Sequence, residues 1–213
     1  MPTLSDILTA RCRTLLNKFH LDDVPPLTAT DDLEGKLTVT PYGGGTLRAL
    51  PGRRGPVIWD QSGPHGSSLW VPKSYEAYRA AFFDFIALVY GPDVDMAGKD
   101  LYDVDHIFNR ARAPQGFFVR VEAVVSEINQ SHGRTFEKTN TNSLVELARR
   151  SNGKDHRKMT FISALKLANL DPPRNANDAE QIAAITQYFT QNGWPPFLIT
   201  QALDNLIEVA QRR

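Results

Sequence analysis

Apolar residues at three- and four-residue steps open the chain. Leu4, Ile7, Leu8, Leu15, Leu16 and Phe19 predict an amphipathic helix over residues 3–19. Thr3 is placed to cap it, Asp6 falls in its first turn, and its exposed face is predicted to hold Arg11, Arg13 and Lys18. Val24-Pro25-Pro26 ends this pattern. The period then shortens to two, and residues 36–72 read as a β-rich segment with short strands at 37–40, 46–50, 57–60 and 68–71. The Gly43–Gly45 run, the Pro51–Pro56 turn and the breaker-rich stretch 61–67 separate them. Helical spacing returns with Tyr75, Tyr78, Phe82, Phe85, Ile86 and Val89. Their broad stripe predicts a central core helix over 73–90, stopped by Gly91-Pro92.

A strand over 100–106, an irregular loop carrying Arg110 and Arg112, a second strand over 117–124 and a short helix over 126–133 follow. Alternation puts Phe118, Arg120, Glu122 and Val124 on one face of the second strand. Ser126 is the expected N-cap of the short helix and Gly133 its end. Further helices are predicted at 143–150, 158–169, from the Asn177/Glu180 cap to 191, and at 197–211, the last two as a hairpin. The expected architecture is α+β: a small ββα unit embedded in a mainly helical body with a short β-rich N-terminal segment. One domain spans 1–213, divided into 1–99, the 100–135 unit and a helical 136–213.

Composition changes this picture little. A 213-residue chain with 41% apolar and 23% charged residues is long enough for one good-sized core. No apolar run reaches the ~20 residues of a membrane span, and the first residues lack a secretory leader's basic start and apolar centre. The single cysteine, Cys12, excludes an intramolecular disulfide and a cysteine zinc cluster; it reads as packing, and a cytoplasmic location is expected. Charge adds more. The net charge is zero, yet residues 106–166 carry 11 Lys+Arg against 5 Asp+Glu, while the flanking segments are net acidic. An anionic substrate would be drawn to the block that starts at His106.

The candidate chemistry lies where that block begins. Tyr102-Asp103-Val104-Asp105-His106-Ile107 delivers an adjacent carboxylate and imidazole, and Asn129 arrives from the short helix. Phosphodiester hydrolysis needs an activated water and neutralisation of charge on the phosphate, which one hard cation helps supply. Mg2+ (or Mn2+) prefers oxygen ligands and keeps several waters, so the Asp105 carboxylate and the Asn129 amide oxygen suffice. His106 points to the opposite strand face and is free to take a proton from water. His132, three residues after Asn129, shares its helix face and is a candidate to ligate the metal, contact a phosphate or cap the helix end; Asp103 shares the strand face of Asp105. Arg110, Arg112, Arg134, Arg149, Arg150, Lys154, Arg157 and Lys158 are the expected phosphate contacts. The triple glycine fits no nucleotide-binding spacing, Asp93 and Asp95 lack the rest of a calcium loop, and His65 reads as a solvated loop residue.

The run Asp103-Val104-Asp105-His106, an arginine-bearing loop, a strand and then Ser126-Glu127-Ile128-Asn129 resembles the HNH (ββα-metal) endonuclease motif, in its Asp-His…Asn variant, over residues 100–135. The resemblance implies Asp105 and Asn129 as metal ligands and His106 as general base. Arg120 stands about where the family's second strand carries a bracing Asn. The implied activity is a metal-dependent DNA endonuclease. The small single-site form is similar to interbacterial nuclease toxins, which implies a secretion or delivery protein, secretion into a target cell and an immunity protein. A non-catalytic binding protein keeping the scaffold, and a sequence-specific restriction-type nuclease, are the alternatives.

Overall fold

The computed structural model describes residues 2–21, 26–38, 45–61, 66–133 and 156–211. The predicted 143–150 helix, His65, Arg134, Arg149, Arg150 and Lys154 lie outside them. The chain is mixed α+β, and a curled seven-stranded antiparallel sheet is its organising layer. Its strands are β1 (Leu27–Thr30), β2 (Thr46–Ala49), β3 (Val57–Asp60), β4 (Ser68–Pro72), β5 (Tyr102–His106), β6 (Phe118–Val125) and β7 (His156–Lys158). Around it lie α1 (Leu4–Leu21), α2 (Leu33–Leu37), α3 (Tyr78–Tyr90), α4 (Ser126–His132), α5 (Phe161–Leu167), α6 (Ala179–Gln191) and α7 (Pro196–Gln211). Among the described residues no helix is long and apolar enough to cross a membrane.

β6 is the central strand. β2, β3 and β4 form a meander, and β4 hydrogen-bonds the first half of β6, with Val71 opposite Val119 and Leu69 opposite Val121. The other edge of β6 is shared. β1 takes its start, with Ala29 opposite Val119, and β5 takes its end, from His106 opposite Val121 to Tyr102 opposite Val125. β7 closes on β1. Both faces of β6 are covered: Val119, Val121 and Ala123 are buried on one, and Val124 with the charged Arg120 and Glu122 on the other.

Two large cores flank the sheet, and α1 belongs to both. Its first turns put Leu4, Ile7 and Leu8 against Phe82, Phe85 and Ile86 of α3 and Val104, Val121 and Ala123 of the sheet. Its later turns put Leu15 and Leu16 against α5, α6 and α7, with Val124 and Ile107. Thr3 caps α1 as predicted: its Oγ1 accepts from the Asp6 backbone N–H at 3.2 Å and donates to the Asp6 carboxylate at 2.7 Å. α3 stops at Gly91, whose φ of 99° a side chain would resist.

Several expectations need correction. Arg11 is not on an exposed face; it is 2% exposed, and its guanidinium grips Glu122 of β6, with Nη2–Oε1 at 2.8 Å and Nε–Oε2 at 3.1 Å. Arg120 reaches the same carboxylate at 2.7 Å. The expected 37–40 strand begins instead as the end of α2, because Asp32 caps a helical turn by accepting from Gly35 N at 2.8 Å. α3 begins at Tyr78, after two turns, rather than at residue 73. α4 begins at Ser126 itself, with Val125 before it and no side-chain cap. Residues 156–158, read as part of a solvated basic loop, form β7.

Candidate functional site

β5 is the ladder on which the candidate residues hang. It ends a 3-10 turn at Lys99–Leu101, pairs antiparallel to β6, and α4 follows β6 without a loop, so strand, strand and helix form one continuous unit. The period of two divides β5 by face. Tyr102, Val104 and His106 point toward α3; Asp103 and Asp105 point the other way, beside Val124 and Glu122 of β6.

On the Asp side, three further elements converge. Asn129 of α4 donates from Nδ2 to Asp103 Oδ2 at 3.1 Å. Arg79 lies 4.0 Å from the other Asp103 oxygen. Lys166 of α5 donates from Nζ to Asp105 Oδ2 at 2.6 Å, with 6% of the lysine side chain and 21% of the aspartate exposed. His132, the last residue of α4, is wholly buried; its Nε2 lies 2.8 Å from the Leu170 carbonyl. A carbonyl only accepts, so Nε2 carries the proton and Nδ1 is left as a bare lone pair, with no hydrogen-bond partner among the described residues. Both Asp105 and Lys166 lie within electrostatic reach of this ring.

His106 lies across the sheet from this group. It is 6% exposed, its ring meets Tyr78 at 4.4 Å between centroids, edge to face, and its Nε2 has no partner among the described residues. Above it Arg110 pairs with Glu76 at 3.3 Å and lies over the Tyr78 ring. The structure therefore brings Asp103, Asp105, Asn129 and His132 to one face, together with Lys166, and places His106 and Arg110 on the other. Among the described residues no three His, Cys, Asp or Glu side chains gather closely enough to hold a metal ion between them, so an ion here would have to draw on the Asn129 amide. Of the expected phosphate contacts, Arg112 closes the 3-10 turn after Asn109, and Lys158 is exposed at the end of β7. Arg157 lies in β7 by its backbone, and its side chain is outside the described ones. Compared with family models, curated proteins and solved structures, the chain matches none.

Burial sets the electrostatics of both histidines. Removal from water penalises the imidazolium and pushes each down to about 4 from the ordinary 6.5. Both rings are thus neutral near pH 7. In the unfolded chain each takes up a proton below about 6.5, while in the folded chain each resists until about 4. Their contribution to stability is therefore fully present above 6.5 and is lost as the pH falls through that window. Denaturant midpoints are expected to drop from pH 7 to 4, by up to roughly 1 kcal/mol per pH unit for each imidazole. A His132→Gln variant should flatten part of the slope. A wild-type midpoint constant over that range would refute the assignment. Cys12 goes the opposite way. Its thiol, 3.9 Å from the Ala123 carbonyl, is pushed up to about 12 by burial and stays protonated, as a packing residue should.

Lys166 is the residue that sequence reasoning missed. The sequence holds only a hint: Lys166 is the one charged residue of the run 159–170, and its burial between Leu165 and Leu167 is set by packing. A lysine in so continuously apolar a helix has to meet a carboxylate.

Proposed function

We propose that this chain is a metal-dependent endonuclease of the HNH type, hydrolysing phosphodiester bonds of DNA at the α4 side of the β5–β6 hairpin. The observation that carries the reading is the Asn129 amide bonded to Asp103 on the strand face that also presents Asp105, with the buried His132 one turn further along α4. A ring that gives one N–H to a backbone carbonyl and keeps its other nitrogen bare has the arrangement typical of a metal-ligating histidine. The oxygen donors suit Mg2+ or Mn2+: Asp105 and Asn129 would hold the ion through oxygen, Asn129 keeping Nδ2 on Asp103 and offering Oδ1, and His132 would hold it through Nδ1. When bound, the cation neutralises phosphate charge and lowers the pKa of a coordinated water.

The chain's own groups supply the rest. Asp103 orients the Asn129 amide. His106 is the last residue of β5, so a phosphate laid over the strand's end would meet Asp105 from one side and His106 from the other. Its neutral ring keeps the lone pair that a general base needs. Tyr78 roofs that ring and would have to swing aside for substrate. The exposed Lys158 is one of the cations that would meet the DNA backbone.

A second reading, a non-catalytic binding protein on the same scaffold, is favoured by one observation. The Lys166 ammonium already compensates Asp105 without any metal. Incubating plasmid with the purified chain and Mg2+ or Mn2+ separates the two. Nicking or linearisation that EDTA abolishes and His106→Ala reduces is the expected result. An uncut plasmid under every metal would leave the binding-protein reading standing.

A further inference from the structure

The two large cores that α1 joins leave a gap where they meet. Leu8 and Ala123 belong to one, Leu16 and Val124 to the other, and all four line a cavity of about 240 Å³. It lies beside the point where Tyr102 of β5 pairs with Val125 of β6, and it is closed by the end of α5 and by Tyr188 of α6. Close-packed interiors leave few voids larger than a water molecule, and an unfilled one costs stability. Voids that stay dry are apolar throughout; this one is not. Three of its lining residues, Thr9, Arg13 and Asn169, are exposed, so it opens to solvent on their side.

Charge is distributed unevenly around it. Arg13 is the one charged lining residue, and among the described residues no carboxylate pairs with it. The two weak acids in the wall stay neutral: burial pushes the Cys12 thiol up to about 12 and raises the Tyr188 phenol as well. An anion entering the cavity therefore meets a cation and no negative charge. A protonated thiol is also a poor nucleophile, so whatever enters is held without a covalent bond.

We propose that this cavity is a binding site for a small aromatic carboxylate, with the carboxylate on Arg13 and the ring among Leu16, Val124 and the two tyrosines. Size sets the first limit. An apolar cavity of roughly 150 Å³ takes up benzene, so 240 Å³ admits a ring with one or two substituents. It falls below the roughly 300 Å³ at which sites for larger ligands begin. Charge sets the second. One guanidinium matches one carboxylate through two parallel hydrogen bonds, whereas a phosphate would bring a second charge with no second cation. The walls set the third, since Tyr102 and Tyr188 offer ring edges and faces to an aromatic body. Asp103, Asp105, His106 and Asn129 do not line the cavity, and the proposal does not depend on the nuclease reading.

Titration of the full chain with benzoate and with neutral benzyl alcohol, followed by 1H–15N NMR, tests it. Benzoate is expected to bind roughly tenfold more tightly than the alcohol, the scale of one hydrogen-bonded charge pair. Arg13→Gln, a change at an exposed residue, is expected to erase that difference by weakening benzoate alone. Cys12 is the only thiol of the chain and locates the site. Its modification by methyl methanethiosulfonate, read from the mass of the intact wild-type chain, should slow roughly fivefold with benzoate at about four times its dissociation constant. Absence of benzoate binding overturns the proposal. So does benzyl alcohol bound as tightly as benzoate, benzoate affinity unchanged in Arg13→Gln, or a Cys12 rate indifferent to bound benzoate.

Discussion

Glu122→Ala is expected to remove about 3–5 kcal/mol of stability, a large share of the 5–15 kcal/mol that holds a typical domain folded. Glu122 is 2% exposed and accepts from two guanidiniums, those of Arg11 on α1 and Arg120 on its own strand. Burial alone would raise its carboxyl; the two cations reverse that and hold it below the usual carboxylate range. The partners are equally committed. Arg11 also donates to the Ser67 carbonyl at 2.9 Å and stacks over Phe85 at 4.9 Å, so truncating Glu122 strands two buried positive charges that have nowhere to go. Urea denaturation followed by circular dichroism measures the loss. A triple variant, Arg11→Met, Glu122→Leu and Arg120→Met, is expected to recover most of it, since apolar side chains of similar volume need no compensation. A loss below about 1 kcal/mol for Glu122→Ala would mean that the three charges are not mutually dependent.

Asp105→Asn is expected to lower metal-dependent DNA cleavage by about three orders of magnitude or more, the scale of several kcal/mol of transition-state stabilisation supplied through a bound cation. The substitution also deprives Lys166 of its anionic partner, so a drop in activity could arise from loosened structure. Adding Lys166→Met to Asp105→Asn separates the causes. Stability should return in the double variant while cleavage stays lost, because the ligand is still missing. Cleavage restored in the double variant, or undiminished in Asp105→Asn, would remove Asp105 from the site.

The sequence was most informative where one period ran long enough to be unambiguous. The stripes of α1, α3, α6 and α7 and the alternation of β6 all correspond to elements of the fold. The ββα order was legible too, because β5, β6 and α4 follow one another along the chain and each carries its own pattern. What stayed hidden depends on distant partners. Leu27-Thr28-Ala29-Thr30 is a strand only because β6 and β7 flank it, and four residues alternate too briefly to say so. His156-Arg157-Lys158 has the composition of a solvated loop; pairing with β1 overrides it. Arg11 looked like the polar face of an amphipathic helix, and only the position of Glu122, across the sheet, makes it a core residue. At the candidate site, the strand period separated Asp105 from His106 and joined Asp103 to Asp105, as expected. Neither the Asn129 bond to Asp103 nor the arrival of Lys166 from α5 could be read from spacing, since both are set by tertiary packing.

The shared edge of β6 has a consequence for how the chain matures. β1 emerges early in synthesis, yet both of its partners are made after residue 117. Arg11 likewise waits for Glu122. Until β6 leaves the ribosome, the β2-β3-β4 meander and the helices α1 to α3 wait beside an unpaired β1 edge and an Arg11 that has not yet met Glu122. Closing those long loops is slow, and an exposed strand edge in the interval invites pairing with another chain. Full assembly of the molecule is thus tied to its second half, and a polypeptide terminated before β6 would lack the strand that its earlier elements were made to meet.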